Sequence, residues 1–226
     1  MTRPGPRVAW IAAGLIATAF AFANTPAEVS AADSPGEAGW TSLFDGKTLS
    51  GWEALELPKQ KPSKWEVVDG LLVGTGGASM LYSPKGDYKN FKFRAELKIN
   101  DKGNSGMYFR SPKVNAFTGG YEVQVNSTHT DPIRTGSLYT FVHLFSSSHP
   151  PKPDTFFTQE VEVKDVNFRG KVVTQVTVKV DGKILYTTND FARTSKVGHF
   201  AFQQHDPGSK VSIRKVEVME LPATKE

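Results

Sequence analysis

The chain has 226 residues, no cysteine and a formal net charge of +4. This length suits one domain of ordinary size with a full hydrophobic core. The lack of cysteine excludes a disulfide framework and a lipid-acceptor cysteine. Because no cluster of lysine and arginine indicates a basic patch, a nucleic-acid partner is not expected.

The N-terminus has the layout of a secretory signal peptide. Arg3 and Arg7 give a short basic start, residues 8–22 are almost wholly apolar, and Ala21-Phe22-Ala23 forms a small-x-small cleavage site. We therefore predict a signal peptide over residues 1–23 and an exported protein, periplasmic or extracellular, with no membrane attachment after cleavage. The alternative is a retained anchor, although about 15 apolar residues are short for a membrane span.

The remainder of the chain is predicted to form one domain over residues 39–221, preceded by a flexible lead-in (24–38) and followed by a short tail (222–226). The domain is a run of β segments separated by turn residues. The clearest segments are Phe91–Ile99, Val161–Phe168, Val172–Val180 and Val211–Val218, the last with a bulge expected near Arg214-Lys215. Because no amphipathic helix interrupts them, we predict an all-β fold, a two-sheet antiparallel sandwich of jelly-roll type.

Three predicted strands carry unusual polar residues opposite their apolar residues. The residues expected to face outward are Tyr108 and Arg110 in Asn104–Arg110, Glu122 and Gln124 in Tyr121–Val125, and Gln203 and His205 in Phe200–His205. Solvated strands usually carry lysine, threonine or glutamate on such a face. We therefore expect one polar site on a concave face of one sheet, the alternative being three unrelated solvent-facing surfaces.

Glu122 and His205 are the candidate acid–base pair, since together they could exchange protons near neutral pH. Glu122 is the only carboxylate among these outward residues, whereas a retaining glycosidase needs two, so Asp206 would have to be the second acid. Arg110 could hold a carbonyl or enolate oxygen, or instead form a buried ion pair with Glu122.

The histidines show no metal-ligand pattern. His143 and His149 lack the required spacing, and His129 is expected in a loop or at the rim of the site. No cofactor is identified from the sequence, and a bound cation such as calcium is left open, as is the oligomeric state.

Several motifs together resemble the 3-keto-disaccharide hydrolase domain family. They are Trp40–Trp52, Trp65–Gly70, Asn104–Gly106 with Arg110, Tyr121–Gln124, Thr135–Tyr139 and Gln203–Asp206. The resemblance covers essentially all of residues 39–221, in order. It implies a concanavalin A-like fold, export, and hydrolysis of glycosidic bonds in a 3-keto glycoside or disaccharide. Carried over by position, the resemblance implies a polar site of Asn104, Arg110, Glu122, Gln124, Tyr139, Gln203 and His205. We predict that Glu122, His205 and Arg110 are catalytic and that Asn104, Gln124, Tyr139, Gln203 and Asp206 bind substrate.

The implied substrate explains how one carboxylate could suffice. A ketone at C3 acidifies the hydrogen on C2, so one base could expel the group on C1 by elimination, and water could then add back. Glu122 or His205 would be the base and the other the acid, with Arg110 and Asn104 at the enolate. The alternatives are a non-catalytic carbohydrate-binding domain, or a conventional glycosidase that uses Glu122 and Asp206 on unoxidised glycans.

Overall fold

The computed structural model describes residue 1 and residues 37–223. Residues 2–23 of the predicted signal peptide, most of the lead-in and the last three residues of the tail lie outside this part. Within it, no helix has the length and apolar character needed to cross a membrane.

The described chain forms thirteen strands and one short 3-10 helix, Ser146–Ser148. The strands are β1 Thr41–Ser42, β2 Glu53–Glu56, β3 Ser63–Val68, β4 Leu71–Gly76, β5 Ser79–Tyr82, β6 Phe91–Ile99, β7 Ser105–Ser111, β8 Tyr121–Val125, β9 Phe157–Phe168, β10 Lys171–Val180, β11 Lys183–Asp190, β12 His199–Gln204 and β13 Val211–Glu220.

The strands pair into two antiparallel sheets. The first has the order β11-β10-β9-β6-β13-β4-β3, with β1 also paired to β13, and the second has the order β2-β5-β12-β7-β8. Non-consecutive neighbours in both sheets are the mark of a jelly-roll sandwich, which confirms the predicted fold class. The predicted bulge in the last strand is also present, because the register of β13 against β6 shifts between Ile213 and Lys215.

Alternation of side chains builds the core between the sheets. Along β6 every second residue from Phe91 to Ile99 is buried, and the residues between them are partly exposed. The ring of Phe93 stacks on that of Phe200 of the opposite sheet with centroids 3.9 Å apart. Each fully buried phenylalanine contributes roughly 1.5–3 kcal/mol, so such pairs hold the two sheets face to face.

The edge of the second sheet at β8 is covered by the segment 136–139. The Tyr139 amide donates to the Glu122 carbonyl and the Gly136 amide to the Gln124 carbonyl, both within 3.1 Å. The Gln124 amide in turn donates to the Ser137 carbonyl at 2.9 Å. The backbone of β8 is therefore hydrogen-bonded on both sides.

Candidate functional site

Strand β8 directs Glu122 and Gln124 to the outer face of the second sheet. Tyr121, Val123 and Val125 point the other way, into the core. Glu122 lies beside Gly106 of β7, where an added Cβ atom would be 2.2 Å from the Glu122 Oε1 atom. A glycine is therefore needed at position 106, because the carboxylate occupies the space that a side chain would fill.

Tyr108 links the polar residues of three strands. Its register partner on β8 is Glu122, and its hydroxyl accepts a hydrogen bond of 3.1 Å from Gln203 Nε2 on β12. Burial raises the pKa of Tyr108, and the nearby Glu122 raises it further. Tyr108 therefore stays protonated and can donate its hydroxyl hydrogen to the Glu122 carboxylate.

The Glu122 carboxyl group titrates near neutrality. Burial raises its pKa to about 7, with a smaller contribution from the negative charge of Asp131, while the Tyr108 hydroxyl acts in the opposite direction. The side chain nevertheless retains some exposed surface. Glu122 can therefore both hold and release a proton at physiological pH, which suits a general acid or base.

Three amide side chains accompany Glu122. Gln124 Nε2 donates to Asn104 Oδ1 at 3.1 Å, and the backbone N–H of Asn104 donates to Ser209 Oγ at 2.9 Å. Gln203 is 3% exposed, and its Oε1 atom has no hydrogen-bond partner among the described residues. Buried amides of this kind offer directional donors and acceptors to a hydroxylated ligand.

Tyr139 borders the site at the β8 edge. The Tyr139 amide donates to the Glu122 carbonyl. Tyr139 therefore lies next to Glu122 on the side opposite to Tyr108, beyond the last strand of the sheet. Burial raises the pKa of the Tyr139 hydroxyl, and the negative charges of Asp131 and Glu122 raise it further. Tyr139 is 38% exposed, so the site is open to solvent on this side.

His205 follows directly on β12 and pairs with Asp206. The His205 Nδ1 atom lies 2.9 Å from Asp206 Oδ2. Burial favours the neutral Asp206, but hydrogen bonds from His205, the Gly208 amide and the Ser209 hydroxyl together hold its pKa below the usual value. An ionised carboxylate only accepts, so Nδ1 carries the proton and Nε2 of the neutral ring presents its lone pair.

His129 completes a cluster with His205 and Asp206. Its Nε2 atom lies 3.7 Å from Asp206 Oδ2, and one ligand atom from each of the three residues lies within 4.8 Å of the others. The Asp131 amide donates to His129 Nδ1 at 3.0 Å, which places the ring proton on Nε2. A metal at Nε2 would need that proton on Nδ1 instead, so the hydrogen bond from the Asp131 amide to Nδ1 opposes metal binding by His129 through Nε2.

The prediction that Arg110 faces outward is wrong. Arg110 is completely buried and points between the sheets, where its guanidinium contacts Asp165 Oδ1 at 3.1 Å, Thr174 Oγ1 at 3.0 Å and the carbonyl oxygens of Lys89 and Ser195. The alternative of an ion pair with Glu122 is also wrong, because its acidic partner is Asp165.

A bulge in β7 causes this inversion. Tyr108 pairs with Ala201, but Ser111 pairs with His199, so β7 has one residue more than β12 over this stretch. Arg110 takes up the extra residue with a left-handed backbone, φ 47°. From that point the outward alternation no longer holds, and Arg110 joins Phe109 on the core side.

Comparison with known proteins places the chain in a family. Residues 39–219 match the model of a family described as a 3-keto-alpha-glucoside-1,2-lyase-like domain. A 3-keto-disaccharide hydrolase of Bacteroides thetaiotaomicron is 32% identical over 108 residues, which cover 44% of this chain. The match spans 37% of the length of that relative.

Solved structures show the same fold. A protein of Parabacteroides distasonis with a provisional glycosyl hydrolase name has a TM-score of 0.62 at 17% identity, covering 80% of this chain and 99% of its own. The carbohydrate-binding module CBM66 of Bacillus subtilis has a TM-score of 0.52 at 16% identity, covering 75% and 96%. At these identities the likeness concerns the fold alone.

Proposed function

Because the chain belongs to the 3-keto-alpha-glucoside-1,2-lyase-like family, we propose that it cleaves the glycosidic bond of a 3-keto glycoside by elimination and rehydration. The observation that carries the proposal is Glu122, whose pKa of about 7 lets it exchange a proton at physiological pH. It shares its face of the sheet with Tyr108 and Gln203, and His205 follows at the end of β12.

In the first half of the reaction, His205 Nε2 removes the proton from C2, because its ring is held by Asp206 with the lone pair on that nitrogen. The electron pair of the C–H bond forms the C1–C2 double bond, and the C1–O bond breaks. Protonated Glu122 gives its proton to the departing oxygen. The products are an alcohol and an enone sugar, and Glu122 is left ionised beside the Tyr108 hydroxyl.

In the second half, ionised Glu122 takes a proton from water, and the hydroxide adds to C1. Protonated His205, after exchanging its proton with water, delivers a proton to C2, which restores both side chains and gives net hydrolysis. Asn104 and Gln124 replace Arg110 as the groups assigned to the enolate oxygen, since both are on the outer face and Arg110 is not. Asp206 positions His205, and Tyr139 borders the leaving group.

The decisive experiment compares a 3-keto glycoside with its unoxidised parent. The 3-keto substrate should release its aglycone and acquire deuterium at C2 in deuterated water, because the C2 proton exchanges during elimination. Glu122→Gln should reduce the rate by roughly 10²–10⁴-fold, the usual effect of losing a general acid or base, with little change in affinity. Glu66→Gln, which removes a carboxylate 38% exposed on β3, is the matched control.

Other outcomes assign other functions. Efficient cleavage of the unoxidised parent with the C2 hydrogen retained would identify a conventional glycosidase. Saturable binding of both sugars without aglycone release would identify a carbohydrate-binding protein. Unchanged turnover in Glu122→Gln would remove that residue from the mechanism.

We further propose that the protein acts outside the cytoplasm, on the basis of the predicted signal peptide. N-terminal sequencing of the native protein should give a start near Asn24. An intact Met1 in a membrane fraction would contradict export as a released protein.

A further inference from the structure

The outer face of the second sheet is divided into an open half and a covered half. Met80, Tyr82, Tyr108 and Ala201 lie on this face and are at most 2% exposed, forming an apolar cluster separate from the main core. Side chains on the outside of a sandwich are buried only when another part of the chain lies over them. Here that part is the loop between β7 and β8, residues 112–120, which we name the crossing loop.

The crossing loop is fixed along its length. Lys113 forms an ion pair of 2.6 Å with Glu53 on the edge strand β2. The Val114 carbonyl accepts a hydrogen bond of 2.7 Å from the Tyr82 hydroxyl on β5. Phe117 packs on the apolar cluster, and its ring stacks on that of His205 at 5.7 Å with an interplanar angle of 17°.

Two glycines return the crossing loop to β8. Gly119 and Gly120 have φ values of 85° and 76°, and a Cβ atom on Gly120 would lie 2.7 Å from the Cα atom of Ser111. The loop therefore leaves β7, passes over β5 and β2, and comes back beside His205. It blocks the β2 and β5 side of the face, whereas the Tyr139 side is open.

We infer that the crossing loop is the closed end of the substrate site and that Phe117 is a specificity-determining residue for the reacting sugar. The inference rests on the proposed function and names its substrate class: a glycoside whose 3-keto sugar is terminal. The apolar face of that ring packs against Phe117 beside His205, and the leaving group extends past Tyr139 into solvent. A 3-keto sugar carrying further residues on its non-reducing side would collide with the loop.

The test compares a 3-keto disaccharide with a trisaccharide that carries one more sugar on the non-reducing side of the 3-keto ring. The wild-type protein should prefer the terminal substrate by at least about 100-fold in kcat/KM. Phe117→Ala should raise KM for the disaccharide by about tenfold, as expected from the loss of one aromatic packing contact, and should narrow the preference by at least about tenfold. Phe117→Tyr should retain both the wild-type KM for the disaccharide and the wild-type preference for the disaccharide over the trisaccharide.

Phe168→Ala is the matched control, since Phe168 is 37% exposed at the end of β9 in the other sheet. Phe168→Ala should change neither the KM for the disaccharide nor the preference for the disaccharide over the trisaccharide. Circular dichroism should show that all variants are folded. Equal use of both substrates by the wild-type protein would overturn the inference, as would an unchanged preference in Phe117→Ala.

Calorimetric binding separates this inference from the proposed reaction. Glu122→Gln should bind the disaccharide and not the trisaccharide, and Glu122→Gln/Phe117→Ala should lose that discrimination. If the wild-type protein cleaves no 3-keto glycoside but this binding pattern is observed, the proposed reaction is rejected and the inference that the crossing loop closes one end of the site is supported. If Glu122→Gln binds both sugars equally or neither, the closed end is wrong.

Discussion

Replacing Glu122 with glutamine should stabilise the protein at alkaline pH while slowing the proposed reaction. Burial raises the pKa of Glu122 from 4.5 to about 7, so between these values the folded protein keeps a proton that the unfolded chain has released. The folded state then binds more protons than the unfolded state, and the free energy of unfolding falls as the pH rises through this window.

The size of the effect follows from the pKa difference. Linkage gives a destabilisation of about 3 kcal/mol at pH 8, of which about 1 kcal/mol is already present at pH 5. Glutamine stays neutral at both values while preserving the shape of the side chain. The difference in unfolding free energy between Glu122→Gln and wild type should therefore widen by about 2 kcal/mol from pH 5 to pH 8.

Urea denaturation followed by circular dichroism at the two pH values measures this difference. Comparing the same pair of proteins at two pH values cancels contributions of the substitution that do not depend on protonation. Glu66→Gln again serves as the control for the loss of one carboxylate. A constant difference between Glu122→Gln and wild type across the range would refute the assignment of a buried, proton-retaining carboxyl group.

Other substitutions test the remaining parts of the site. Tyr108→Phe should move the Glu122 limb of the pH–rate profile to higher pH, because the hydroxyl that lowers the pKa of this carboxyl group is lost; an unmoved limb would contradict that contact. Gly106→Ala should reduce kcat at least about tenfold with the fold retained, because the added methyl displaces the Glu122 carboxylate, and steady-state kinetics with circular dichroism measures both. Arg110→Met should lower the unfolding free energy by about 3–5 kcal/mol, since it removes the buried cation facing Asp165; a fully stable variant with a selective loss of rate would return Arg110 to the active site. Treatment with EDTA should leave the rate unchanged, because the proposed steps are proton transfers between side chains, and a loss restored by a divalent metal would instead assign the histidine cluster as a metal centre.

The sequence allowed the fold to be predicted because alternation persists along most strands. The same regularity placed Glu122 and Gln124 on the outer face, since β8 runs without interruption between Tyr121 and Val125. Arg110 departs from this alternation, because one extra residue in β7 reverses the faces there. The position of such an extra residue cannot be predicted from alternation in the sequence, because contacts with the other sheet set its conformation.

Two important residues required knowledge of long-range pairing. Tyr108 was correctly predicted to face outward, but its role depends on the register that sets it opposite Glu122. His129 was expected in a loop or at the rim, and its position beside His205 arises from a turn braced by Asn126, whose side chain accepts the His129 amide at 2.9 Å. Neither contact has a periodic signal in the sequence.

The segment 136–139 has a consequence for solubility and strand exchange. A reactive side chain at the edge of a sheet needs access to solvent, but an exposed edge also presents free amide and carbonyl groups on which another chain can add a strand. Here the covering segment occupies the backbone groups of β8 and leaves the outer face of the sheet accessible. Substrate can thus approach the side chains from above, while self-association by strand addition at this edge would first require the segment to detach.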